Sequence, residues 1–98
     1  MAGLALFGIR VVDLSTGVAG PFCTKLFADF GADVVKIEPP EGDPARGIGP
    51  LAPGTSLRDG GGAFQYLNTN KRGVTLDFDS EVGRDRVRRL VSCADVVV

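Results

Sequence analysis

A glycine-containing turn is the first feature of the sequence with a possible chemical use. The segment Asp13–Pro21 reads D-L-S-T-G-V-A-G-P and joins an apolar run to an amphipathic one. Backbone N–H groups at a helix start after such a turn bind anions such as phosphate. Glu38 ends the next apolar run, about where a dinucleotide-binding domain carries its ribose-binding acid. Because the full G-x-G-x-x-G pattern is absent, the turn is interpreted either as a site for a nucleotide such as NAD or as a plain structural turn.

Two adjacent cations, Lys71 and Arg72, form a second candidate site. They follow two asparagines in N-T-N-K-R. Arginine offers a phosphate a planar fork and lysine offers a point charge, so the pair predicts an anion contact. The alternative is a solvated pair of surface cations.

The carboxylates give no acid–base pair. Asp13 lies within an apolar run, so if buried it needs partners, and backbone donors of the following turn are the simplest ones. Asp77 and Asp79 lie on one side of a strand end and are not predicted to be buried, so they do not stand out as an acid–base pair. The chain contains no histidine, which excludes a Ser-His or Cys-His pair and a histidine-containing zinc site. No metal is expected.

Alternating strands and helices are predicted to position these residues. Short apolar runs bounded by turn signals predict strands, and amphipathic runs predict helices. The sequence A-D-V-V recurs after each amphipathic run, which indicates two βαβ-type units. The predicted strands are Ile9–Leu14, Asp33–Ile37, Val74–Asp77 and Val96–Val98, and the predicted helices are Phe22–Phe30 and Glu81–Ser92. The expected fold class is α/β, a Rossmann-like parallel sheet with flanking helices. Because two helices cannot cover both faces of four strands, we expect an incomplete large domain whose sheet is covered by missing chain, by a partner, or by both.

Two further expectations concern burial and order. The first helix carries an apolar stripe of Phe22, Cys23, Leu26, Phe27 and Phe30, and we expect Cys23 and Cys93 to be buried free thiols. Gly and Pro recur without periodicity over 41–62, so this segment is predicted to be a flexible loop, a lid or a disordered segment.

Length and composition limit the function classes. With 98 residues, the chain is one domain or a piece of one. Its 11 basic and 12 acidic residues argue against binding nucleic acid. No apolar run approaches the ~20 residues of a membrane span, and the first residues lack a signal-peptide pattern. We therefore expect a soluble cytoplasmic protein without a membrane partner.

Four motifs in order resemble the N-terminal portion of the family III CoA-transferases. They are D-L-S-x-x-x-A-G-P, G-A-D-V-x-K-I-E-P-P, N-x-N-K-R and A-D-V-V-V, and together they span nearly the whole chain. This family includes formyl-CoA transferase, the carnitine CoA-transferases and α-methylacyl-CoA racemase. The resemblance implies that residues 1–98 are the N-terminal part of a CoA-binding large domain, in longer proteins that assemble as interlocked homodimers.

The resemblance also implies a chemistry. The transferases move CoA from an acyl-CoA to a carboxylic acid through an aspartyl intermediate, and the racemases use a His and an Asp. In both cases the resemblance places those residues downstream of this sequence. It therefore implies that no catalytic nucleophile lies within this chain and that the chain alone is inactive. Coenzyme A is then a substrate, and acyl-CoA and carboxylic acids are the partners. A small Rossmann-like nucleotide-binding module and a fragment of a racemase are the alternatives.

Several CoA contacts are implied residue by residue. Val18 and Ala19 match the segment facing the pantetheine and thioester end. Pro39 matches a position, often Arg, beside the adenosine. Leu76 and Phe78 match strand residues that flank the adenine, and Lys71 and Arg72 match the basic pair just before them.

Overall fold

Four parallel strands form the centre of the molecule, for which a computed structural model describes residues 3–49, 51, 53–54, 56 and 60–98. The strands are β1 (Arg10–Asp13), β2 (Asp33–Glu38), β3 (Arg72–Thr75) and β4 (Val96–Val97). Their order in the sheet is β3-β2-β1-β4, and every neighbouring pair is parallel. The predicted α/β class and parallel pairing are confirmed.

The strand order reverses direction at β1. The chain moves outward from β1 to β2 and β3, and then returns to place β4 on the other side of β1. In open α/β sheets, ligands bind beyond the carboxyl ends of the strands at such a reversal. The turn that follows Asp13 lies at this place.

Among the described residues, three α-helices and one short 3₁₀ helix connect the strands. They are α1 (Ala19–Asp29), the 3₁₀ helix (Pro44–Gly47), α2 (Gly62–Leu67) and α3 (Glu81–Ser92). Helix α3 has the predicted bounds, and the Gly83 N–H donates to the Ser80 hydroxyl, which caps the helix. A Cβ at Gly83 would lie 1.8 Å from the Asp77 carbonyl oxygen, so this close approach requires glycine.

Each face of the sheet packs against one helix. On one face, Val11 and Val34 pack with Ala28 of α1 and Ala32. On the other face, Val12, Ile37 and Leu76 form the buried cluster, and partly buried residues of α3 pack against it, namely Val87, Leu90 and Val91. The alternation of neighbouring strand residues between the two faces explains why both are apolar.

The apolar stripe of α1 is only partly turned toward the sheet. Helix α1 buries Pro21, Thr24 and Ala28, whereas Phe22, Leu26 and Phe30 are 41%, 42% and 55% exposed. The helix is rotated so that the Thr24 hydroxyl reaches Asp13. Both cysteines are free as expected, but they are exposed rather than buried.

Two predicted segments also differ in detail. Strand β3 begins and ends two residues earlier than predicted, and Leu76, beyond its end, still donates its N–H to the Glu38 carbonyl oxygen. Within the predicted flexible loop, Asp43 and Ala45 are buried and Pro44–Gly47 is helical. Positions 50, 52, 55 and 57–59 of that loop lie outside the described residues, and its flexibility stays a prediction.

Candidate functional site

A buried ion pair fixes the end of β1 to the start of α1. The Lys71 Nζ lies 3.0 Å from the Asp13 Oδ2, and both side chains are almost fully buried. Thr24 donates its hydroxyl to the same oxygen at 2.6 Å, and the Ser15 N–H and hydroxyl donate to the Asp13 Oδ1. Lys71 also donates to the carbonyl oxygen of Pro21 and to Asn68 Oδ1. Asp13 therefore has the turn donor predicted from the sequence, and a lysine besides.

A second buried pair holds the turn between β1 and α1. Lys36 Nζ lies 2.9 Å from Asp43 Oδ2 and donates to the Ser15 carbonyl oxygen at 2.9 Å. The Gly17 N–H donates to Asp43 Oδ1 at 3.1 Å. An internal carboxylate thus occupies the position where an anion was predicted to bind. We call Asp13, Lys36, Asp43 and Lys71 the buried charge cluster.

A third ion pair borders the cluster. Glu38 accepts two hydrogen bonds from the Arg46 guanidinium, at 2.8 and 2.7 Å, and one from the Asp43 N–H at 2.8 Å. Arg46 lies over the Phe64 ring, 3.9 Å from its centroid. Both oxygens of Glu38 are bound within the protein, so it is not poised to accept from a ribose.

The electrostatics keep these carboxylates ionised. Burial raises the pKa of Asp13, but hydrogen bonds from Ser15, Thr24 and Lys71 outweigh it and leave that pKa below its ordinary value. The same balance lowers the pKa of Asp43, through Lys36 and backbone donors. For Glu38, the Arg46 hydrogen bonds lower the pKa against a smaller effect of burial.

An open cleft of about 700 Å³ lies beside the third ion pair, beyond the ends of β2 and β3. Its lining combines polar and apolar groups: Glu38, Pro39, Pro40, Glu41, Gly42, Arg46 and Thr75. Pro39 is therefore in a position to contact a ligand. The backbone of Leu76 lies next to this lining, because its N–H donates to the Glu38 carbonyl oxygen.

The remaining predicted site residues lie in different environments. Val18 and Ala19 are exposed at the start of α1, next to the Gly17 anchor. The Leu76 side chain is buried in the core, and Phe78 packs at its edge. Arg72 forms a solvent-exposed ion pair with Asp33, whereas the three acceptors around Lys71 are all internal. The structure thus separates the two adjacent cations.

Asp43, Lys36 and Arg46 are the residues that sequence reasoning missed. Asp43 stands in the Gly- and Pro-rich segment, where irregular spacing gives no sign of burial. Lys36 was one polar residue in an apolar strand. A lysine there needs a buried counter-charge, and that requirement was the available signal.

The part of the chain that the structure describes offers neither a membrane-spanning helix nor a cluster of metal ligands. No helix of the described part is long and apolar enough to cross a membrane. In the same part, no group of three or more Asp, Glu or Cys residues lies together as a metal site.

Comparison with known proteins gives a consistent result. The profile of CoA-transferase family III matches residues 6–98. Succinyl-CoA:mesaconate CoA-transferase of Haloarcula hispanica is 46% identical over 94 residues, which are 96% of this chain and 24% of that protein. Formyl-CoA:oxalate CoA-transferase of Streptomyces coelicolor is 43% identical, over 100% of this chain and 23% of that protein.

Solved structures agree with the sequence matches. A CAIB/BAIF family protein from Brucella suis superposes with a TM-score of 0.85 at 44% identity, covering 96% of this chain and 25% of that one. A hypothetical protein from Mycobacterium tuberculosis gives 0.81 at 38% identity, covering 97% and 25%. The chain spans about a quarter of the length of the relatives it matches.

Proposed function

The chain belongs to CoA-transferase family III, and on that basis we propose that it forms the N-terminal CoA-binding portion of an enzyme that moves CoA from an acyl-CoA to a carboxylic acid. The family match over residues 6–98 carries this proposal. The named relatives act on different acyl groups, so the donor and acceptor acids are left open, as is a racemase of the same family.

The position of the exposed turn and the cleft supports CoA as the ligand. Val18 and Ala19 lie at the reversal of strand order and would face the pantetheine and thioester end. The cleft at Pro39 would take the adenosine end. Leu76 and Phe78, which the family resemblance places beside the adenine, belong instead to the core cluster packed against α3. The site is extended, which suits a long ligand with different chemistry at each end.

The chemistry we propose needs a residue outside this chain. An Asp carboxylate attacks the thioester carbonyl, forming a mixed anhydride and releasing CoA thiolate. The thiolate attacks the aspartyl carbonyl, which releases the donor acid and leaves an aspartyl-CoA thioester. The acceptor carboxylate attacks that thioester, and the freed CoA thiolate then attacks the acceptor carbonyl, which restores the Asp. Asp13 is unsuited to this role because it is fully buried and both of its oxygens accept hydrogen bonds.

The NAD-binding alternative is less well supported. It requires the Gly17 turn to bind a pyrophosphate and Glu38 to bind a ribose. The Gly17 N–H is bound to Asp43, and Glu38 is bound to Arg46 and the Asp43 N–H. A dinucleotide would have to displace both sets of hydrogen bonds.

Titration of the ¹⁵N-labelled 98-residue chain tests the ligand. We expect CoA, but not NAD, to shift the amide resonances of Val18 and Ala19. Val18→Asp places a carboxylate at the proposed thioester end and should weaken CoA binding about tenfold. Val82→Asp, at an equally exposed valine of α3, is the matched control and should bind CoA normally. No response to CoA, or an equal response to NAD, would refute the proposal.

Turnover of the chain alone tests the missing nucleophile. Formyl-, succinyl- and branched acyl-CoA donors are supplied with carboxylic acids, and the protein is analysed by mass spectrometry. We expect neither transfer nor a covalent adduct. An adduct at Asp13, Asp77 or Asp79 would show that the chain carries its own nucleophile.

A further inference from the structure

Asp43 touches both ends of the proposed site. Its side-chain Oδ1 accepts the Gly17 N–H at 3.1 Å, directly before Val18. Its backbone N–H donates to Glu38 Oε2 at 2.8 Å, at the rim of the cleft. Its other carboxylate oxygen is paired with Lys36, and the residue is 2% exposed. One buried residue thereby connects the turn and the cleft.

We propose that Asp43 is a positioning residue that fixes the β1–α1 turn relative to the cleft, so that the two ends of one CoA molecule are bound at a set spacing. This inference rests on the proposed function. Asp43 need not touch CoA in this role, because it acts through Gly17 on one side and through Glu38 on the other.

The hydrogen bond to Gly17 is not explained by local structure alone. Asp43 also accepts the Ala45 N–H at 2.9 Å, which caps the 3₁₀ helix. That cap would be complete without Gly17, which is twenty-six residues away in sequence. The long-range hydrogen bond therefore has a second effect besides the cap, which is to fix the position of the turn.

The conformation of the turn makes such an anchor useful. Gly17 has a φ of +84°, and a Cβ there would meet nothing within 4 Å, so crowding does not hold the residue in place. Glycine visits many backbone conformations at little cost. Two hydrogen bonds restrict this freedom and orient the start of α1. The Gly17 N–H donates to Asp43 Oδ1, and Lys36 Nζ donates to the Ser15 carbonyl oxygen.

A matched pair of double variants separates positioning from folding. Asp43→Ala alone would leave Lys36 buried without a counter-charge, so both variants also carry Lys36→Met. Lys36→Met/Asp43→Asn keeps an acceptor for Gly17, and Lys36→Met/Asp43→Ala removes it. Both are neutral at these positions, and both keep the backbone N–H that binds Glu38.

The two variants and the wild-type chain are compared by their binding of three ligands and by the rate of amide exchange at Gly17. CoA spans both ends, adenosine 3′,5′-bisphosphate reports the cleft, and pantetheine reports the turn. In the alanine variant, relative to the asparagine variant, we expect Gly17 amide exchange to accelerate and CoA binding to weaken, each about tenfold. Adenosine 3′,5′-bisphosphate should bind both variants within about twofold.

The outcomes distinguish the two proposals. Equal CoA affinity in the two variants, or an equal loss of CoA and bisphosphate binding, would overturn the positioning role. If wild-type protein binds no CoA, the proposed function fails. The Gly17 exchange rate still decides whether Asp43 anchors the turn, because equal rates in the two variants would refute the anchor itself.

Discussion

Lys71 and Arg72 are neighbours in sequence but belong to two different electrostatic environments. Lys71 is paired with Asp13, and their side chains are 2% and 0% exposed. Arg72 is paired with Asp33, and their side chains are 70% and 48% exposed. The two pairs have similar lengths, 3.0 and 2.7 Å, so distance alone does not distinguish them.

The difference shows in which part of the fold charged side chains are buried. Burying an ion pair has a desolvation cost that its attraction often fails to recover, whereas an exposed pair costs and contributes little. Both buried Lys–Asp pairs lie around the β1–α1 turn. Two strands, β1 and β2, and the segments just before the 3₁₀ helix and β3 meet there through charged side chains, and their ion pairs favour one geometry for the turn.

Replacing Lys71, the lysine of the buried pair with Asp13, should lower the free energy of unfolding most. Lys71→Met leaves the Asp13 carboxylate buried without its counter-charge, and we expect the free energy of unfolding to fall by about 3–5 kcal/mol. Urea denaturation followed by circular dichroism measures this, and complete loss of the unfolding transition would be an extreme form of the same result.

The adjacent residue supplies the control. Arg72→Met removes a cation of the same charge from the exposed pair, and we expect a change of no more than about 1 kcal/mol. Similar losses in the two variants would mean that burial does not separate the two environments.

Acid should have the next largest effect, because it weakens the buried charge cluster and the Glu38–Arg46 pair that borders it. The pKa values of Asp13, Asp43 and Glu38 are lower in the folded protein than in the unfolded chain. As pH falls, the unfolded state takes up these protons first, so the contribution is present above about pH 4 and is lost below it. Urea midpoints measured from pH 7 to pH 3 should fall mainly in the last unit. Constant midpoints down to pH 3 would contradict the lowered pKa values.

The sequence predicted the sheet better than the cluster. Period and turn signals located four strands and helix α3 because these depend on residues close in sequence, such as Val11 and Val12, or Ser80 and Gly83. The cluster depends on pairs that are far apart in sequence, such as Asp13 with Lys71. Local patterns carry no information on such pairs.

The rotation of α1 was out of reach of the sequence for a related reason. The sequence shows an apolar stripe that includes Phe22 and Leu26, but the residue that faces the sheet is Thr24. A hydrogen bond from Thr24 to Asp13, together with the small Ala28, places the other side of the helix inward. Composition could show that the helix is amphipathic, while the rotation was set by a polar contact.

Removing the Thr24 hydroxyl, a neutral donor to Asp13, should lower the free energy of unfolding less than removing a charge does. Thr24→Val keeps the shape of a buried side chain and removes its hydrogen bond to Asp13, so we expect a loss of about 1–3 kcal/mol. Because that bond also lowers the pKa of Asp13, this pKa lies closer to its unfolded value in the variant, so the acid-induced loss that Asp13 contributes should be smaller and should be complete at a higher pH. Thr69→Val is the matched control, since the Thr69 hydroxyl donates to carbonyl oxygens on the exposed surface. Equal effects at the two threonines would show that the Asp13 contact carries no special weight.

The smallest expected effect lies in the coupling within the exposed pair. A double-mutant cycle of Arg72→Met and Asp33→Ala isolates the interaction of the two side chains from their other contacts. We expect a coupling of about 0.2–1 kcal/mol, because both groups stay hydrated and each loses side-chain freedom when paired. Raising the salt concentration from 0.1 to 1 M shortens the screening length to about 3 Å and should remove most of that coupling. The same salt increase should leave the urea-measured cost of Lys71→Met nearly unchanged, because ions do not enter the protein interior. A coupling at Arg72–Asp33 that is large and insensitive to salt would show that solvent exposure does not set the strength of the ion pairs in this protein.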